Sequence, residues 1–269
     1  MVNRSVVHSI LTKDELVNKL KKLGVTSSMI LEVHVSLDAL PYVVGGAQSV
    51  VDALMELAKD GGTIMMDLNP QDTCDPSLWK NPSVSPWLYE DIRKNTPAFQ
   101  PSLCDIGNDP IVENFRKRDG VVFSGHPKYC YAAWGRYAKL LCNRQSLHFP
   151  LAEESPVARL YELKGYVLNI GCSFSDITCL HLAEYRSDCR PIKIETSCVN
   201  MDGQKQWKRY LDLEIDDSEF NRIRSNLLNA DQIRTESIGD CEMELFQATN
   251  AIDEATKYFE KTVVYDLYR

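Results

Sequence analysis

The stretch 165–185 constrains the fold of this 269-residue chain more than any other. Residues 166–170, Tyr-Val-Leu-Asn-Ile, are an apolar, β-branched run entered through Gly165, the pattern of a buried strand. Residues 171–175, Gly-Cys-Ser-Phe-Ser, are mostly small and polar and suit a tight turn. Ser175 or Asp176 can then accept backbone N–H bonds and start a helix carrying Thr178, His181 and Glu184. A strand that delivers its chain to a helix N-terminus makes a natural anion or carbonyl site at its carboxyl end. A histidine on the first turns of such a helix is a candidate general base. The competing reading of His181 is a structural histidine satisfied by its neighbours.

The rest of the chain repeats the strand–turn–helix logic. Thr12-Lys-Asp-Glu15 has the capping-box form, with Leu16, Leu20 and Leu23 following at helical spacing until Gly24. Residues 29–35 read as a strand, 42–46 as a turn with paired glycines, and Ser49 as the cap of a helix bearing Val50, Leu54, Leu57 and Ala58. Gly61-Gly62 break that helix and 63–68 form the next strand. This order predicts an α/β fold, one domain spanning 1–269 with a central mixed sheet flanked by helices. Residues 69–110 interrupt it with seven prolines, which forbid long helices and central strands. So long an irregular insertion is usually functional, and a substrate-side lid competes here with a surface excursion anchored by Trp79 and Trp87. Beyond it, 111–118 read as a short helix, 121–123 as a strand and 131–141 as a helix. Ser155-Pro156 opens a helix ending near Lys164. Residues 191–199 and 206–215 read as strands joined through Asp202-Gly203. Asp217 or Ser218 caps a helix to about Leu228, 242–247 form a strand, and Asn250 caps the last helix, through Phe259.

Composition narrows the function classes. The formal net charge of −8 offers no basic excess against phosphate repulsion, which argues against nucleic acid and is compatible with a polycationic small molecule. No run is apolar enough to span a membrane, and the first ten residues hold too short an apolar core for a signal peptide. The nine cysteines are odd in number, with no CxxC and no zinc spacing. That pattern predicts free thiols in a reducing, cytoplasmic compartment and no metal.

Five blocks, in order, carry a resemblance. They are Val33-His-Val-Ser-Leu37 with Tyr42-Val-Val-Gly-Gly46; Gly62-Thr63 followed by Asp75-Pro76 and Trp79; Asn114-Phe-Arg116, Ser124-Gly-His-Pro127 and Ala132-Ala-Trp-Gly135; Ser155-Pro-Val-Ala-Arg-Leu-Tyr161; and Thr178-Cys-Leu-His-Leu-Ala-Glu184. Together they resemble the aminoglycoside 3-N-acetyltransferase family, antibiotic acetyltransferases that do not share the GNAT fold. The resemblance implies direct acetyl transfer from acetyl-CoA to a substrate amine, with an aminoglycoside as the inferred partner and no metal. It implies a donor site at the exit of the first strand and the Ser-x-His-Pro loop. The matching residues are His34, Ser36, Leu37, Ser124 and His126, with Phe174 and Ser175 after the central strand. It implies His181 as the base and a downstream strand acid as its orienter, which by spacing is Asp212, with Glu214 next. A homodimer is left open. The sequence departs from the family pattern at Val35, Pro41, Met66-Asp67-Leu68 and Ser175, where Asp176 is the candidate replacement.

The implied chemistry is coherent. An ammonium is not nucleophilic, so a group must take a proton from the incoming amine, and neutral imidazole is suited to this near pH 7. A carboxylate behind the ring fixes its tautomer and stabilises the imidazolium. Ser36, Ser124 or turn N–H groups could steady charge on the thioester oxygen. Residues 206–215 alternate, placing Leu211, Leu213 and Ile215 on one face and Tyr210, Asp212 and Glu214 on the other. Three bland readings stand beside these. His126 is a loop histidine held by backbone, Glu184 a solvated helix residue, and Cys172 and Cys179 small buried residues rather than nucleophiles. The alternative to an enzyme is a CoA- or polyamine-binding protein on the same fold, or an acetyltransferase for another amine.

Overall fold

The computed structural model describes residues 7, 9–71, 73–80 and 82–261. Seven strands form one mixed sheet, in the order Ile233–Ile238, Cys241–Gln247, Tyr166–Ile170, Ile30–Val35, Thr63–Asp67, Tyr131–Gly135 and Val122–Phe123. The central three are parallel and the outer four pair antiparallel. Alternation along the strands splits the core between the two faces. Leu31, Val33, Val35, Ile64, Met66, Leu168 and Ile170 pack with helices Lys13–Leu23, Gly46–Ala58 and Pro110–Phe115. Ile30, Met65, Val167 and Phe246 pack on the opposite face, with helices Pro156–Glu162, Leu182–Arg186, Phe220–Asn229 and Ala248–Phe259. The α/β expectation with helices flanking a mixed sheet holds.

The capping signals hold where a side chain makes the cap. Thr12 and Glu15 form a reciprocal capping box, and Ser155 accepts from the Ala158 N–H ahead of Pro156. Three caps fall elsewhere. Helix Gly46–Ala58 starts at Gly45, whose φ of 84° turns the chain without a side-chain cap, so Ser49 lies inside the first turn. The caps of Phe220–Asn229 and Ala248–Phe259 are Glu219 and Gln247 rather than Asp217 or Ser218 and Asn250. Residues 131–141 are not one helix. They give the strand Tyr131–Gly135, a turn, and the short helix Ala138–Leu141. The turn needs Gly135, which has φ 112°, and a Cβ there would lie 2.3 Å from the Gly62 carbonyl oxygen and 2.9 Å from Thr63 Cα. Both obstacles are backbone atoms of the neighbouring strand and cannot step aside. Gly135→Ala is therefore expected to destabilise the protein by more than about 2 kcal/mol, read as a lowered denaturant midpoint.

The insertion is docked rather than free. A hairpin of Ile192–Met201 and Gln204–Leu213, turned by Asp202 (φ 53°) and Gly203 (φ 80°), receives it. Cys74 bridges Ser197, the Asp75 N–H donates to the Thr196 carbonyl, and Phe99 N–H to the Cys198 carbonyl. Lys205 Nζ and Trp207 Nε1 both donate to the Arg93 carbonyl at the end of helix Tyr89–Asn95. Asp75 binds Arg93 through both oxygens, at 2.7 and 2.9 Å. The guanidinium holds this carboxyl down to about 2. Asp75 thus ties the segment to itself.

Candidate active site

The parallel strands Ile30–Val35, Thr63–Asp67 and Tyr166–Ile170 all end at one edge of the sheet. A cavity of about 460 Å³ opens at those carboxyl ends, where open α/β sheets bind ligands. It is lined by His34, Asp67, Asp109, Asp176, His181 and Asp217, among others. Four carboxylates and two imidazoles on one wall set favour a cationic guest.

His181 ends a 3-10 turn, Thr178–His181, that runs into helix Leu182–Arg186. Its Nδ1 lies 2.5 Å from Glu184 Oε2, and its ring packs on Phe220 with centroids 4.9 Å apart. Glu184 is fully buried. Its other oxygen, Oε1, accepts from Arg190 Nε and from the Asp216 N–H at 3.0 Å. Arg190 in turn reaches Asp216 at 3.4 Å. The carboxylate is therefore clamped on one oxygen and presents the other to the imidazole. With Nδ1 occupied, Nε2 is the ring nitrogen left for the cavity, which His181 lines.

The strand acids sit elsewhere. Asp212 is buried and its Oδ1 accepts from the Tyr185 hydroxyl (2.6 Å) and the Leu213 N–H (2.9 Å). Burial raises its carboxyl. Glu214 is exposed, and neither residue lines the cavity. The carboxylate at His181 is Glu184, in place of both. Tyr210 and Asp212 do share a face, as the alternation has it. Tyr210 and Asp212 point inward, toward His126 and Tyr185, while Leu211 is 39% exposed.

His34, Ser175 and His181 reach the cavity, and the other expected donor residues take different places. His126 is buried, and its Nδ1 accepts from the Lys128 and Tyr129 N–H groups while Nε2 faces the Leu147 carbonyl at 3.2 Å. Burial pushes its pKa down to about 3. It is held in its loop by backbone groups. Ser124 Oγ accepts from the Tyr131 N–H, while Phe174, packed on Phe246, lines a second hollow beside this cavity. Ser36 lies at the strand exit with its N–H on the Ile170 carbonyl, and Leu37 packs against the core. Cys172 lines the cavity, but burial pushes its thiol up to about 12, and Cys179 is fully buried. Neither is a thiolate nucleophile near pH 7.

His34 belongs to a polar strip on the second face of the sheet. It is paired across the strands with Asn169, and continuing the register of Glu32 with Met65 by two residues brings Asp67 to its other side. Glu32 is buried beneath it, with Oε1 3.7 Å from His34 Nε2 and 3.1 Å from the Tyr131 hydroxyl. Burial lowers the His34 pKa, but Glu32, Asp67 and Asp176 outweigh it and leave the net direction upward. Asp67 ends the strand Thr63–Asp67 and lines the cavity. Its Oδ2 accepts from the Thr178 hydroxyl at 3.0 Å and its Oδ1 from the Asn69 N–H at 2.9 Å. A charged residue closing an apolar strand was the available signal.

Among the described residues no group of three or more His, Cys, Asp or Glu side chains is arranged to hold a metal, and no helix is long and apolar enough to cross a membrane.

A family model described as aminoglycoside 3-N-acetyltransferase matches residues 33–260. The SPbeta prophage-derived aminoglycoside N(3')-acetyltransferase-like protein YokD of Bacillus subtilis (strain 168) is 34% identical over 250 residues, covering 92% of each chain. Its crystal structure superposes with a TM-score of 0.91 over 96% of this chain and 97% of that one. The aminoglycoside N(3)-acetyltransferase VIII of Streptomyces fradiae is 29% identical, covering 93% and 92% of the two chains. The crystal structure of the aminoglycoside acetyltransferase AAC(3)-Xa, 26% identical, superposes with a TM-score of 0.87 over 96% and 95%.

Proposed function

This chain belongs to the aminoglycoside 3-N-acetyltransferase family, and from that premise we propose that it moves the acetyl group of acetyl-CoA onto the 3-amino group of an aminoglycoside, in the cytoplasm, with His181 as general base. The observation that carries this reading is the fixed imidazole opening on an acid-lined cavity. His181 Nδ1 is held by Glu184, so Nε2 is the atom positioned to take a proton from the acceptor. The clamp of Arg190 and the Asp216 N–H keeps Glu184 aimed, and Glu184 steadies the imidazolium once it forms. The carboxylates around the cavity attract a polycation and bring its amine to the ring.

The residues also fit an acyl donor. The second hollow, of about 330 Å³, is lined by Ala39, Gly171, Ser173, Phe174 and Arg224, together with Asp240, Glu242 and Glu244. The last two hold the Arg224 guanidinium, so the hollow suits the uncharged arm of the donor rather than its phosphates. It shares Cys172 with the first, so a long narrow arm laid across it can end beside His181. Small residues keep that passage close to the backbone, and a Cβ on Gly171 would meet the Ala39 methyl at 2.5 Å. When bound, acetyl-CoA supplies an activated acetyl thioester. The acceptor nitrogen, relieved of a proton by His181, forms the new C–N bond as the C–S bond breaks. The proton on His181 is then available to the departing thiolate.

Thiol release from acetyl-CoA with gentamicin or sisomicin as acceptor tests this. One thiol per acceptor is expected, with one acetyl group located at the 3-amino position by mass spectrometry and NMR. Saturable binding of either compound without thiol release would instead identify a binding protein on the same fold.

A further inference from the structure

The buried carboxylates of this protein are, with few exceptions, matched by a cation of the chain itself. Glu184 has Arg190, Glu195 has Lys128 and Lys193, Glu244 has Arg224, and Asp75 has Arg93. Such pairing is what makes a charge tolerable away from water. Among the described residues Glu32 and Asp212 form no ion pair with a lysine or arginine, but both are fully buried and off the cavity. Asp67 differs from both groups. It lies on the cavity wall, and among the described residues no lysine or arginine forms an ion pair with it. Its two donors, the Thr178 hydroxyl and the Asn69 N–H, are neutral, so they orient the carboxylate without cancelling its charge. A carboxylate has about four acceptor positions, and these donors occupy two of them.

Position gives this unmatched charge a use. Thr178, which holds Asp67, and His181 are the first and last residues of one 3-10 turn. Residues three apart in such a turn project to the same side, so the turn sets the carboxylate and the imidazole on one wall. We propose that Asp67 is an ammonium anchor for the acceptor, binding a second cationic nitrogen of the molecule whose first nitrogen gives its proton to His181. This inference rests on the acetyl-transfer reading for the identity of the acceptor, and on the cavity alone for the presence of a cation. It makes the protein selective for polyamines over monoamines.

The electrostatics of the wall agree. The groups facing Asp67 are His34 and Glu32 on the neighbouring strand, Tyr129 and Cys130 in the loop leading to Tyr131–Gly135, Tyr131 in that strand, and Thr178 on the turn. Burial drives the Asp67 carboxyl up to about 6, against the pull of the Asn69 N–H, Thr178 and His34. An ammonium bound there favours the ionised form. Acceptor affinity that depends on Asp67 is therefore full above this value and lost as the pH falls through it.

Calorimetric titration of gentamicin into the wild type, Asp67→Asn and Asp67→Ser is the test, at pH 7.5 and pH 6 and in two buffers of different ionisation heat. The expected result is an affinity about 10- to 100-fold lower for both variants at pH 7.5. At pH 6 the wild type releases a fraction of a proton that both variants lack. In turnover assays the gentamicin KM rises by a similar factor while the acetyl-CoA KM does not. A defect in only one variant is a packing effect and counts against the proposal. Variants that bind gentamicin like the wild type, with the same proton release, overturn it. If the wild type shows the Asp67-dependent binding but releases no thiol, the anchor stands and the acetyl-transfer reading fails. If the wild type binds no gentamicin, both fall.

Discussion

His181→Ala is expected to lower kcat for acetyl transfer by about 10²–10⁴-fold, the usual weight of one general base. Calorimetric affinity for gentamicin should change far less. The cavity carboxylates that attract the polycation are untouched, and alanine removes a ring that is already largely enclosed, with 12% of its side chain exposed. The loss should therefore appear in kcat and leave acceptor binding in place. Removing the ring also takes away its contact with Phe220 and leaves Glu184 Oε2 without its partner. Some fall in thermal midpoint is expected for that reason, and it must be measured so that unfolding is not mistaken for lost chemistry. A folded variant with near wild-type turnover would remove His181 from the mechanism.

The course of the chain was legible wherever a local rule dominates. Thr12 with Glu15, and Ser155 with Pro156, fix helix starts by bonds within four residues, so the pattern alone suffices. Asp202-Gly203 supplies two consecutive positive φ values and so dictates a two-residue hairpin turn. Legibility fails where tertiary contacts override the pattern. Ala132, Ala133 and Trp134 suit a helix by propensity, but Tyr131–Gly135 completes a sheet against Thr63–Asp67, and its last residue must be a glycine for steric reasons. The strand Ile233–Ile238 carries almost no apolar signal, with Arg234, Thr235, Glu236 and Ser237 between its ends. It is an edge strand, held by pairing on one side only.

The site was legible to the same degree. His181, His34 and Ser175 are where their motifs suggest, because strand exits in a parallel sheet gather at one edge. The carboxylate beside His181 was not, and the reason is physical. Alternation over residues 206–215 sets Tyr210, Asp212 and Glu214 on one face but does not say which surface that face meets. The inner surface here is a hydrogen-bonded one. Tyr210 meets Ser197 and His126, and Asp212 meets Tyr185. Glu184 lies three residues past His181, a spacing that brings helical side chains together, and that local fact outweighs distant spacing to a strand.

Glu184→Gln should be nearly as damaging to turnover as loss of His181, by about 10²–10⁴-fold in kcat, because it acts on the tautomer. The ionised carboxylate can only accept, so it draws the imidazole proton to Nδ1 and leaves the Nε2 lone pair free to act as base. In the glutamine variant one end of the group is an acceptor and the other a donor. Arg190 and the Asp216 N–H both donate to Oε1, so they select the amide oxygen for that end. The NH₂ then faces His181 Nδ1 and donates to it, which forces the ring proton onto Nε2. The base would thus present a hydrogen to the acceptor instead of a lone pair. Neutralising a buried partner of Arg190 also costs stability, offset in part by Asp216, which lies 3.4 Å from the same guanidinium. Asp212→Asn is the control. Its effect on kcat should be within a few fold, since Asp212 contacts Tyr185 and its own strand rather than the cavity. Steady-state kinetics on folded samples of both variants decide the matter. A crippled Asp212→Asn beside an active Glu184→Gln would return the orienting role to the strand.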